Sequence, residues 1–163
     1  MKYVHYGSQS FDPLRWTSVR NAPLERSFEK PAGGLWASPA NAILGWANWC
    51  RREDFNLEGL KESFEFELSE NTKVLRITSE DVVKSLPRIF DDPQINTFME
   101  HFSKFSLRPF ELPIDFEQLS RDYDVVEFLA SKLFHPNGIL RGWDCDCILV
   151  LNKDVIRVTE LEK

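Results

Sequence analysis

Apolar and charged residues alternate over Phe64-Glu65-Phe66-Glu67-Leu68, and a second β-rich run, Val74-Leu75-Arg76-Ile77, follows the turn-like Glu70-Asn71. A period of two predicts two strands with one face buried, and the short connection predicts that they form a hairpin. Lys2 to Tyr6 is a third β-rich run, ended by Gly7-Ser8, and Val125 to Leu129 a fourth. Cys147 to Leu151 is continuously apolar, as a buried strand is, and leads through Asn152-Lys153-Asp154 to a final strand from Val155 to Thr159. The helical period is weaker. Ala40, Ile43, Leu44 and Ala47 recur at helical spacing behind Ser38-Pro39, which predicts a helix over 39–52 with Ser38 as its cap. Ser79-Glu80-Asp81 caps a helix running to about Arg88, and Ile95, Phe98, Met99 and Phe102 form a core-facing stripe on a helix over 93–105. A short helix over 114–120 completes the α set, and residues 9–33, with Pro13, Pro23, Pro31 and the pair Gly33-Gly34, form a long surface loop. Strands and helices mixed in this order predict an α+β fold, and 163 residues without a repeat or linker predict a single domain.

Composition narrows the function. The formal net charge of -6, with no run of Lys or Arg longer than two, argues against broad nucleic-acid binding. The N-terminus has no apolar leader and no stretch matches a membrane span, so a cytoplasmic protein with no membrane partner is expected. The cysteines are three, Cys50, Cys145 and Cys147; alternate positions on a strand aim the last two thiols to the same face, which suits reduced thiols and not a disulfide. With His5, His101 and His135 scattered, no metal site is expected. Aromatic residues make up 13% of the chain, more than packing alone demands, and point to a pocket that stacks a planar ligand.

The densest block is residues 30–50, KPAGGLWASPANAILGWANWC. Its Gly33-Gly34 pair permits close backbone approach to a ligand, and Trp36 and Trp46 are spaced to face each other across a planar ring. The competing reading gives all its Trp residues to the core. Together with HYGS at residues 5–8, this block resembles the ADP-ribosyltransferase superfamily, in particular its poly(ADP-ribose) polymerase and diphtheria-toxin branch. The likeness rests on three short blocks covering about a third of the chain.

The resemblance implies two small mixed or antiparallel sheets forming a cleft flanked by helices. It implies that NAD is the substrate, that ADP-ribose passes to a protein or nucleic-acid acceptor, and that nicotinamide leaves. It gives His5 the ribose, Gly7 the nicotinamide amide and Trp36 and Trp46 the ring, with Tyr6, Ser8, Gly34 and Ser38 from the same blocks assigned to the dinucleotide. Asp146, opening the segment DCILV, stands where the family has a catalytic Glu; Asp144 and Glu127 are alternatives. Such a carboxylate stabilises the oxocarbenium-like centre formed as the glycosidic bond breaks. The chain departs from the pattern in the extra Tyr6 between His5 and Gly7, in Trp36 for a Tyr, and in an Asp one methylene shorter than Glu. Tyr6 therefore competes with His5 for the pocket position. Lys30 and the Arg20-Asn21 pair are further candidates for phosphate or adenine contacts, whereas His101 and His135 have no partner at catalytic spacing. Two other functions remain open: a dinucleotide or ADP-ribose binding module without turnover, and an interaction protein whose Trp cluster is only core.

Overall fold

The computed structural model of the chain describes residues 1–23, 30–89, 113–132, 140 and 142–158. The stripe expected over 93–105, and with it His101, lies outside the described residues, as do His135 and Thr159. Seven strands are described: β1 (Lys2–Tyr6), β2 (Leu35–Pro39), β3 (Ser63–Leu68), β4 (Val74–Ile77), β5 (Val125–Phe128), β6 (Cys147–Val150) and β7 (Ile156–Val158). Three α-helices accompany them: α1 (Trp46–Glu53), α2 (Glu80–Ser85) and α3 (Phe116–Asp122). The α+β class holds, but the two small sheets are replaced by one seven-stranded mixed sheet of order β4-β5-β6-β2-β1-β3-β7, with β4 and β5 its parallel pair.

The expected hairpin does not form. β3 pairs with β1 and β7, while β4 lies at the far edge against β5. Alternation reports which face of a strand is buried, and it carries no information about the neighbour; the partner is chosen by the whole sheet. The link itself constrains the shape. Six residue steps from Leu68 to Val74 reach about 21 Å at full stretch, whereas the five strand intervals between β3 and β4 span about 24 Å in a flat sheet. The sheet is therefore curled, and all seven strands contribute to the cluster built on Tyr3, Ala37, Phe64, Phe66, Val125, Ile148, Val150, Val155 and Ile156, with Val74 against it.

The other face is covered by a second cluster. Val126, Phe128, Cys147 and Leu149 of the sheet pack with Leu86, Phe116, Leu119, Leu140 and Trp143. With both faces covered, every residue of β5 and β6 is buried, as the continuous apolar run at Cys147 to Leu151 requires. β3, covered on one face, buries Phe64 and Phe66 and exposes Glu65 and Glu67.

The helix expected over 39–52 starts later, at Trp46. Pro39 instead closes β2, opposite Tyr3, where its missing N–H costs little. Ser38 is still a cap, acting from the strand: its Oγ accepts the Trp46 N–H at 2.9 Å and donates to the Asp146 carbonyl at 2.9 Å. α2 begins on the Ser79 cap, whose side chain accepts from Val82 N–H, but ends at Ser85 ahead of Leu86-Pro87. α3 begins at Phe116, capped by Asp115. Asn21 docks the long loop on that helix end, accepting from Phe116 N–H at 2.8 Å and donating to Asp115 Oδ1 at 2.9 Å.

Candidate functional site

The ladder between β1 and β2 runs Tyr3↔Pro39 and Val4↔Ser38 and then stops; the next pairs in register, His5 with Ala37 and Tyr6 with Trp36, do not form. His5 fills the opening, its Nδ1 lying 2.7 Å from the Trp36 carbonyl oxygen that the ladder leaves over. To donate there, Nδ1 carries a proton, and in the neutral ring Nε2 is then an acceptor. Each strand keeps its other neighbour, β1 with β3 through Tyr6↔Ser63 and β2 with β6 through Leu35↔Val150. The two strands thus splay without either leaving the sheet.

A cavity of about 250 Å³ occupies the splay. β1 contributes Val4, His5 and Tyr6, β2 contributes Trp36, Ala37 and Ser38, and α1 contributes Trp46; Lys30, Asn56, Cys145 and Cys147 complete the wall. Five of the residues assigned to the dinucleotide, His5, Tyr6, Trp36, Ser38 and Trp46, are brought together here. β1 has no bulge, its pairing with β3 running unbroken from Lys2 to Tyr6, and both His5 and Tyr6 reach the cavity because the ladder opens where they stand.

Lys30 joins the two indoles. Its ammonium lies 5.1 Å from the ring centroid of Trp36 and 5.5 Å from that of Trp46, within cation–π range of both. Each indole is braced from behind. Trp36 meets the edge of Trp143 at 5.0 Å, and Trp46 stacks on Trp49 at 5.2 Å with Phe55 against both. Phe55 is swung back under α1 because its neighbours Asp54 and Asn56 take left-handed backbone, at φ 52° and 46°.

Other assigned residues stand elsewhere. Gly7, at φ 104°, turns the chain after β1, and Ser8 bonds locally to the Ser10 carbonyl; neither lines the cavity. At Gly34 the close approach is to the chain itself, since a Cβ there would stand 2.7 Å from both Leu149 Cδ1 and the Val150 carbonyl oxygen. Gly33 is held as tightly, with the Ser18 carbonyl oxygen 2.3 Å from such a Cβ. Arg20 pairs its backbone with Ala32, and Asn21 is spent on α3.

The carboxylates point away. Asp146 is buried, and its oxygens accept from Ser131 N–H at 2.9 Å and Ser131 Oγ at 3.1 Å, tying residue 131 to the start of β6. Its sequence neighbours Cys145 and Cys147 face the cavity instead, as alternation on an extended segment demands. Asp144 is exposed. Glu127 bonds Arg76 Nε at 2.8 Å across the β4–β5 register, and with burial its charge and hydrogen bond push the Tyr3 hydroxyl up to about 12. None of the three lines the cavity.

The thiol pair was the feature least visible in advance. The shared face of Cys145 and Cys147 was legible; that this face is a cavity wall was not. A hydrogen bond from the Cys147 thiol lowers the pKa of Cys145, assisted by the charge of Lys30 and opposed by burial and by Asp144 and Asp146. Donating that hydrogen bond, together with burial, raises Cys147. Among the described residues no group of three or more His, Cys, Asp or Glu side chains is arranged to hold a metal ion, and no helix is long and apolar enough to cross a membrane. No family model, curated protein or solved structure matches the chain.

Proposed function

We propose that the splay cavity binds the nicotinamide end of oxidised NAD and that the protein is a dinucleotide-binding module of the ADP-ribosyltransferase type with little or no turnover. The observation carrying this reading is the position of Lys30, whose ammonium touches the faces of Trp36 and Trp46 at once. Two indole faces sharing a cation are suited to a flat cationic ring, and the pyridinium of oxidised NAD is one. On binding, the ring displaces the ammonium, which moves toward the pyrophosphate. His5 Nε2, left as an acceptor, takes a ribose hydroxyl. A space of about 250 Å³ is below the size of most drug-sized sites, so the adenosine end lies outside it.

The same reading in its enzymatic form is mono-ADP-ribosyl transfer to a protein or nucleic-acid acceptor. Transfer needs an anion near the anomeric carbon. Asp146 is the family-matched carboxylate, and with both oxygens engaged by Ser131 it does not meet that need as it stands. A binding module is therefore the better-supported form.

Calorimetric titration with oxidised NAD, run beside a nicotinamide-release assay, tests the proposal. Saturable binding with no release above the buffer rate is expected. Binding with release that Asp146→Asn abolishes identifies the transferase instead, and absence of binding removes the dinucleotide reading altogether.

A further inference from the structure

Cys145 and Cys147, both buried, stand in the wall of a cavity whose described residues supply one ammonium and no carboxylate side chain, while Cys50 is buried outside it. Nothing in the dinucleotide reading uses these sulfurs. We propose that Cys145 is a nucleophilic site for covalent capture of small soft electrophiles, of the α,β-unsaturated carbonyl class, with Cys147 and Lys30 as its positioning residues.

The argument begins with the placing of the two thiols. Because both face the same space, one can donate its S–H to the other, and Cys147 is the donor. The thiolate is the reactive form of cysteine, and this interaction favours it on Cys145 over Cys147. Lys30 supplies the countercharge from the cavity side; Asp144, Asp146 and burial act against it, and among the described residues His5 and Tyr6 are the other titratable groups lining the space, with Cys50 outside it but within electrostatic reach of Cys145. The walls select for the electrophile. Trp36, Trp46, Val4 and Ala37 are apolar, and about 250 Å³ admits a small flat molecule but not a peptide. The conjugated plane lies against the indoles, and its carbonyl oxygen, where charge develops, is directed to the Lys30 ammonium.

In the reaction the Cys145 proton is first lost to solvent. The sulfur lone pair forms a bond to the β-carbon, the carbon–carbon π pair moves to the α-carbon and onto the carbonyl as an enolate, and the α-carbon then takes a proton from water. The product is a neutral thioether, and no oxidant, reductant or metal takes part.

N-ethylmaleimide at neutral pH, added to the folded protein and followed by peptide mass mapping, tests the site. One adduct on Cys145 is expected before any on Cys147 or Cys50. Its rate should level off at a pH below that of a free cysteine peptide, because thiolate fraction sets the rate. Cys147→Ala, which removes the donor, should move the plateau to higher pH and slow the reaction at pH 7 by roughly tenfold per pH unit of that movement. Lys30→Met should act in the same direction. Circular dichroism verifies that both variants are folded. First reaction at Cys50 or Cys147, labelling only after denaturant is added, or a rate profile unmoved in folded Cys147→Ala would each overturn the proposal.

Discussion

The ladder between β5 and β6 and the splayed joint between β1 and β2 follow opposite rules. Between β5 and β6 the ladder runs through four residue pairs, Val125↔Val150 to Phe128↔Cys147, and every residue of both strands is buried. Between β1 and β2 it runs through two and yields to a histidine, two indoles, a lysine and a pair of thiols around open space. The difference teaches how a site is made here. The β5–β6 ladder holds β2 through β6, the outer pair β3 and β7 holds β1, and the joint between them is free to trade backbone bonds for side-chain chemistry.

The comparison is broken most severely at the β5–β6 ladder. Phe128 has no exposed surface and packs on Trp143 at 5.4 Å. Phe128→Ala should lose about 3–5 kcal/mol in urea unfolding, as large-to-small core changes do. The molecules that remain folded should keep their ligand affinity, because the cavity is lined by other residues. An affinity that falls with the stability would mean the two regions are not separate.

Tyr3 and Glu127 probe the interior that both regions share. Tyr3 is neutral in the folded protein up to about 12, two units above its ordinary value near 10. A raised folded pKa gives stability that is complete below the unfolded value and lost as pH rises through the folded one. Stability should thus fall between pH 10 and 12, and Tyr3→Phe should remove that tyrosine-linked part of the alkaline loss. Glu127→Gln, which breaks the pair with Arg76, should cost about 1–3 kcal/mol at neutral pH. The smallest effect belongs to Ser131→Ala. It deletes one of the two bonds to Asp146 and keeps the backbone one, for about 0.5–1.5 kcal/mol. If NAD turnover rises in that variant, the freed carboxylate reaches the cavity.

How much of this was legible in the chain divides along the same line. β1, β3, β5 and β6 were visible as β-rich, alternating or continuous apolar runs, and the α2 cap at Ser79 as a local motif, because each depends on neighbouring residues alone. The pairing of β3 with β1 and not β4 was invisible, since the alternation of Phe64, Glu65 and Phe66 is the same whichever strand lies alongside. Ser38-Pro39 misled for a related reason. A capping serine and a proline mark a helix start or a strand end equally well, and here Ser38 does both from one position. Within the site, the aromatic pair and His5 were legible because motif and chemistry coincide. Asp146 was legible as a carboxylate at the entry to a strand, but its burial, and whether it or the flanking thiols face the cavity, depend on where the extended segment enters the sheet, which no local signal records.

The central claim is that Trp36 and Trp46 form a slot for a flat cationic ring. Quenching of tryptophan fluorescence on titration with oxidised NAD, compared between the natural chain and Trp36→Ala, tests it most directly. The account predicts saturable quenching in the natural chain and at least about fivefold weaker binding in the variant, since one aromatic stacking contact is worth about 1–3 kcal/mol. Equal affinity in the two proteins, with both folded, would contradict it.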